Sequence, residues 1–306
     1  MYYLSDIIHY SIEQYIFFSY KRQVKGLQYN EKSYYFCKKM QVVISLLKHR
    51  RKQMKHLNLI YFSPTGGTEK IARKIASFLA NETGEIDLSN LSLTARDLSS
   101  DAVAIAAVPV YAGRVPALAL NALGKINGKG CRVVSVAVYG NRHYDDALVE
   151  LNDTLTELGF VVIASGAFIA EHSLVNELAA GRPDESDYAF MKEFANGIIE
   201  KIDSGKNTMN IVVPGNRPYA DASPVKSPIL VTERCTNCGT CAERCPAGAI
   251  NKTNTHETNM ETCIVCMRCK TICPEGARSL PDAVLEKFSA HLLGKFSERR
   301  ENEMFF

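Results

Sequence analysis

Two stretches of the chain repeat each other at an offset of 28 residues. The first reads Cys235-x2-Cys238-x2-Cys241-x3-Cys245-Pro246 and the second Cys263-x2-Cys266-x2-Cys269-x3-Cys273-Pro274. Each run offers three closely spaced thiols and a fourth just before a proline. The repeat continues past the cysteines, since Pro246-Ala247-Gly248-Ala249 matches Pro274-Glu275-Gly276-Ala277. Zinc also accepts C-x2-C spacing, but it needs neither a third cysteine at x2 nor a Cys-Pro at x3. Iron–sulfur ligation accounts for both. Of the ten cysteines only Cys37 and Cys131 lie outside the runs, so no disulfide framework remains to suggest secretion. Thiolate-bound iron needs a reducing compartment, which points to the cytoplasm. Cys131 opens an apolar run and reads as a small core residue.

Over residues 229 to 281 the chain resembles the bacterial two-cluster ferredoxins. The resemblance implies two 4Fe-4S clusters with crossed ligand sets. Cys235, Cys238, Cys241 and Cys273 would hold one cluster. Cys263, Cys266, Cys269 and Cys245 would hold the other.

The 306 residues allow about two domains. Residues 1 to 53 carry ten Lys/Arg against three Asp/Glu, whereas the remainder is net acidic. This basic extension has no clean hydrophobic period and no caps, so it is expected to be poorly ordered. Met54 stands directly before a regular strand and reads equally well as the native start. A basic amphipathic arm for a membrane surface or acidic partner is the sharper alternative. The apolar runs at residues 15–18 and 42–47 fall far short of the ~20 residues of a spanning helix. Aromatic and apolar residues precede the basic ones, the reverse of a signal peptide. No nucleic-acid motif is present.

From Leu57 onward, strand and helix signals alternate. Strands are expected at residues 57–62, 85–88, 102–110, 132–138 and 161–170. Helices are expected at 68–80, from 116 to 123, 144–158 and 184–202, the last with Tyr188, Met191, Ala195, Ile198 and Ile202 on one stripe. Strands apolar on both faces, joined by helical crossovers, mean a doubly wound parallel sheet. Five such units suit the order 2-1-3-4-5.

The first strand-to-helix turn is Ser63-Pro64-Thr65-Gly66-Gly67-Thr68. Its glycines let several N–H groups face one anion, and three hydroxyls and a helix N-terminus add to the cradle. Glu69 stands where a Walker A loop needs Lys-Ser/Thr, and G-x-G-x-x-G is absent. The turn resembles the T-x-T-G-x-T phosphate loop of flavodoxins, with Ser63 at the first hydroxyl position. That likeness implies FMN held by Ser63, Thr65, Gly66, Gly67 and Thr68. Two loops that resemble the flavodoxin ring-binding loops leave later strands: one carries Tyr111, Ala112, Gly113 and Arg114, the other Tyr139, Gly140, Asn141 and Arg142. With no tryptophan in the chain, stacking on the ring falls to tyrosine. His172 and Arg114 are the candidates for a proton donor, with no catalytic residue assigned outright.

Residues 205 to 228 hold Pro214, Pro218, Pro224 and Pro228 and read as a semi-rigid connector. The whole from Lys55 to Pro281 resembles the flavodoxin–ferredoxin fusion proteins of anaerobic bacteria, the EFR1-family ferredoxins. The expected organisation is an extension at 1–53, a flavodoxin-like FMN domain at 54–204, a connector at 205–228, a small α+β two-cluster ferredoxin domain at 229–283, and a helix with a loose charged tail at 284–306. The expected function is electron transfer between the clusters and FMN, coupling one-electron to two-electron chemistry with redox partner proteins. The alternatives are an FMN-dependent reductase of a small organic acceptor, and a non-catalytic redox sensor. Oligomeric state is left open.

Overall fold

The computed structural model describes residues 54–205 and 211–306, all within the unit Gln53–Phe306. The basic extension lies outside the described residues. In chain order the elements are β1 (Met54–Tyr61), α1 (Gly67–Leu79), β2 (Ala80–Asp87), β3 (Arg96–Asp97), β4 (Val103–Pro109), α2 (Ala117–Leu123), β5 (Ile126–Asn127), β6 (Arg132–Tyr139), α3 (Ala147–Glu157), β7 (Val161–Ile169) and α4 (Glu185–Asp203). There follow β8 (Leu230–Val231), α5 (Thr240–Glu243), α6 (Arg268–Thr271), β9 (Arg278–Ser279), α7 (Asp282–Phe296) and β10 (Glu303–Phe305).

The main sheet runs β10-β7-β6-β4-β1-β2. Its five strands from β2 to β7 are parallel, and counted in chain order they run 2-1-3-4-5, a flavodoxin-like doubly wound arrangement. Alternate residues along each strand feed two cores. Leu59, Ile105, Val136 and Ile163 pack against Ile71 and Ile75 of α1 and Met191, Phe194 and Ile198 of α4. Ile60, Ala104, Ala106 and Val133 pack on the other face against Leu123, Leu151 and Leu155. Burial on both faces explains why β4 and β6 are apolar without alternation.

The long helix α4 starts where a capping box can form. Asp184 accepts the N–H groups of Ser186 (3.0 Å) and Asp187 (3.2 Å), and Asp187 accepts that of Asp184 (2.8 Å). Helix α3 begins three residues later than its periodicity suggests, because Asp145 is left-handed (φ 42°) and Asp146 takes the N-cap.

The connector is strapped to α3. The Asn216 N–H (2.9 Å) and side-chain amide (3.0 Å) donate to Asp146 Oδ1, and the Ala220 N–H donates to Oδ2 (2.7 Å). Arg217 (2.8 and 2.6 Å) and the Tyr219 hydroxyl (2.6 Å) donate to Asp153. Gly215 has φ 137° and touches Val149, where any Cβ would collide.

The tail corrects the sequence expectation. Residues after α7 are not loose: β10 adds an antiparallel edge to the sheet, with Met304 opposite Gly166. Asn302 accepts the Ile169 N–H (2.9 Å) and donates to Asp187 (2.8 Å). Phe306 packs on Phe194 with centroids 5.7 Å apart. Charge counting hid a short apolar ending that completes the edge of the sheet. The cysteine-rich segment is therefore tethered to the α/β domain at both ends.

Candidate metal centres and an adjoining cleft

The eight cysteines of the repeat surround two separate voids. Cys235, Cys238, Cys241 and Cys273 line one, and Cys245, Cys263, Cys266 and Cys269 line the other. Each Cys-Pro cysteine thus crosses to the void of the opposite run. Among the described residues, no three or more His, Cys, Asp or Glu converge tightly enough for a single metal ion. Four thiols around each void are the number a cubane takes. The repeat is kept at the level of hydrogen bonds. The Ala249 N–H donates to Cys245 Sγ (3.4 Å), and the Ala277 N–H to Cys273 Sγ (3.3 Å). Burial, then the neighbouring thiols, push Cys266 up to about 12, despite the opposing Arg268 N–H donor. Cys263 and Cys269 are also raised, chiefly by burial. A thiolate here calls for a compensating cation, which iron would supply.

The two centres differ in surroundings. Cys238 is exposed, while Cys266 is 9% exposed and stands against the α/β domain. Half-buried Tyr111 is pushed well above the usual phenol value, first by desolvation and then by Cys266, so its hydroxyl stays protonated. Arg268, two residues after Cys266, crosses to the first turn of the α/β domain. It donates to Pro64 O (3.1 Å), Ser89 Oγ (2.6 Å) and, more weakly, Ser63 O (3.5 Å).

At the carboxyl ends of the strands, one cleft gathers residues from the first turn, the two later loops and the segment after β7. Its walls include Ser63, Thr65, Gly67 and Thr68, then Tyr111, Ala112 and Gly113, then Tyr139, Gly140 and Arg142, and finally His172. The turn leaves backbone donors open. Gly66 has φ 92° and open space where a Cβ would sit. The Glu69 N–H is taken by Ser63 Oγ (3.0 Å) and that of Lys70 by Gly66 O (2.9 Å). The donors ahead of them start a 13-residue helix and lack intrahelical acceptors. Strained left-handed backbone recurs around the cleft, at Ala112 (φ 51°), Asn141 (φ 62°) and Asp145 (φ 42°). These residues fit a planar ligand with an anionic tail.

Two expected site residues face elsewhere. Arg114 forms a bidentate pair with Glu150 (2.9 and 2.6 Å), donates to Ala220 O (2.7 Å) and lies over the Tyr219 ring, so it clamps the connector. Asn141 donates its amide to Phe296 O (2.7 Å) and Glu298 O (2.8 Å), anchoring the chain after α7. His172 does line the cleft. Its Nδ1 accepts the Leu174 and Val175 N–H groups (3.2 Å each), which leaves the proton on Nε2. Burial lowers it to about 4, so it is a neutral donor at pH 7. Its ring rests on Gly140, where a side chain would collide.

His143, within the second expected loop, lines the cleft and stacks on Tyr144 at 4.9 Å. Sequence reasoning missed two contributors. Arg268 and Ser89 form the crossing between the two parts. A second cavity of about 450 Å³ adjoins the cleft, sharing Tyr111, Ala112, Arg142 and His172 with it. Ile264 and Val265 of the second cysteine run, and Phe288, His291 and Phe296 beyond it, close the far side.

Known proteins resemble both parts of the chain. Residues 234–278 match the model of the 4Fe-4S dicluster domain family. No curated protein sequence matches the chain. Among solved structures, a flavodoxin from Streptococcus pneumonia is similar at 18% identity, over 48% of this chain and 99% of that one, with TM-score 0.35. A Fusobacterium nucleatum flavodoxin bound to flavin mononucleotide is similar at 17% identity, over 50% and 99%, with TM-score 0.33. The rubredoxin oxygen:oxidoreductase of the anaerobe Desulfovibrio gigas is similar at 17% identity over 51% of this chain, with TM-score 0.37, and the match spans only 38% of that longer protein. Among the described residues no helix is long and apolar enough to cross a membrane. By its strand order and its cysteine-rich segment, the chain joins a flavodoxin-like α/β domain to a 4Fe-4S dicluster domain.

Proposed function

We propose that the protein carries electrons between two 4Fe-4S clusters and an FMN held in the cleft. The observation that carries this reading is the shared wall: the Cys266 segment stands against Tyr111, and its neighbour Arg268 is bonded to the phosphate-type turn. Cys245, Cys263, Cys266 and Cys269 would ligate the cluster nearer the cleft, and Cys235, Cys238, Cys241 and Cys273 the outer one. Each cluster supplies one-electron chemistry, and FMN accepts one or two electrons. The chain contributes placement. Ser63, Thr65, Gly67 and Thr68, with the turn opened by Gly66, would cradle the phosphate. Tyr111 and Tyr139 bound the ring space, and His172 offers a fixed neutral donor from Nε2. The exposed Cys238 side is where a redox partner protein would exchange electrons, in a reducing, cytoplasmic setting. Anaerobic purification with iron, sulfide and flavin analysis tests the reading. About eight iron atoms and one FMN per chain are expected; stoichiometric zinc with little iron, or no flavin, would refute it.

A second reading is favoured by the adjoining cavity of about 450 Å³. Apolar side chains make up more than half of its wall, alongside Arg142, His172, Ser173, Asp221, Ser223 and His291, and it could admit a small organic acceptor beside the ring. The protein would then be an FMN-dependent reductase fed through the clusters. Steady-state turnover of quinone-type acceptors with reduced protein separates the two readings.

A further inference from the structure

The two cysteine runs share their spacing and the Pro-x-Gly-Ala after the last cysteine but differ at every position between the cysteines, and one of those differences reaches the α/β domain. After its second cysteine the first run has Gly239 (φ 82°) and Thr240, while the second has Met267 (φ 62°) and Arg268. The left-handed position that glycine fills without strain is occupied in the second run by methionine, with a Cβ that disfavours it. Met267 and Arg268 are 3% and 9% exposed, packed inside the molecule. The Arg268 acceptors are Pro64 O, Ser63 O, Arg244 O and Ser89 Oγ, all uncharged oxygens. The carboxylate it reaches is that of Asp87, one hydroxyl away, since Ser89 Oγ donates to Asp87 at 2.6 Å. A guanidinium so buried is costly without nearby negative charge.

The bond to Pro64 has a direction. Pro64 O and the Thr65 N–H belong to one trans peptide, so they point to opposite sides. A cation on the carbonyl polarises that peptide and makes the Thr65 N–H, on the opposite side from Arg268, a stronger donor. Resting on the FMN reading of the cleft, we infer that Arg268 is a positioning residue: it braces the phosphate turn from behind and links monophosphate affinity to docking of the dicluster segment. Negative charge from a bound phosphate in front and from the cluster thiolates beside it would balance the buried guanidinium.

The test uses full-length protein with clusters intact and flavin removed, titrated anaerobically with FMN and with riboflavin. The parent should prefer FMN. Arg268→Gln should cut the FMN-to-riboflavin affinity ratio about tenfold, with riboflavin affinity and iron content unchanged. Arg268→Lys keeps the charge but cannot span Pro64 and Ser89 together, so a loss of about threefold is expected. If the Gln variant fails to hold its iron, the Lys variant decides. Parallel loss of both flavins, or an unchanged ratio in a variant that keeps its iron, overturns the proposal. A parent with no preference for FMN overturns the flavin reading itself, and the inference with it.

Discussion

Asp146 Oδ1 accepts the Asn216 N–H at 2.9 Å, across 70 residues of chain. With Ala220 on its other oxygen, this carboxylate holds the Pro-Gly-Asn-Arg-Pro segment against α3. Burial alone would raise its pKa, yet the Ala220 and Asn216 donors and the Arg114 charge hold it below the usual carboxylate range. Asp146→Ala leaves those donors without their acceptor and should lower stability by about 2 kcal/mol. Faster protease cleavage within residues 211–228 and a lower Tm check this; unchanged cleavage would show that the strap is dispensable.

Most of the sheet is legible in the sequence. Strands buried on both faces announce themselves as apolar runs, and the capping pair Asp184 and Asp187 sits in plain view. The grouping of the eight cysteines around two voids is equally legible, because it follows their spacing. What stays hidden is long-range pairing by single residues. Arg114 and Asn141 sit in loops that border the cleft, yet their side chains turn away to serve the connector and the tail. Nothing local distinguishes an arginine aimed at a ligand from one aimed at Glu150. An overlooked clue is that Arg268 stands in the second run where the first has Thr240.

The tail edge is a second point of attachment. Asn302→Ala leaves the buried Ile169 N–H without its acceptor and removes a donor from Asp187, at a cost of about 1–3 kcal/mol. Chemical denaturation followed by far-UV circular dichroism should show a lower midpoint with the same slope. A reduced slope would instead indicate that the tail frays independently.

His172 gives the protein a defined pH dependence. Its folded pKa, about 4, lies below the ordinary histidine value of 6.5 because burial disfavours the charged ring. The unfolded chain therefore binds the proton first. The contribution of neutral His172 to stability is complete above pH ~6.5 and is lost as pH falls toward about 4. Melting temperatures from pH 7.5 to 5 should fall in the parent and fall less in His172→Gln. Identical slopes in the two proteins would assign the pH dependence to other groups.

Cys245 belongs to the first run but lines the void of the second, beside Cys263, Cys266 and Cys269. Cys245→Ala should therefore damage the inner cluster, next to the cleft, and spare the outer one. Electron paramagnetic resonance of the reduced variant should show one surviving 4Fe-4S signal, with loss of the magnetic coupling between two reduced clusters. Electrons supplied to that outer cluster should then reach FMN far more slowly than in the parent, because the centre adjoining Tyr111 is gone. In the parent the dicluster segment is tethered at both ends, so flavin reduction should proceed at a rate independent of protein concentration. A variant that reduces FMN at the parental rate would mean that electrons bypass the inner cluster, and that the approach of the second cysteine run to Tyr111 serves docking alone.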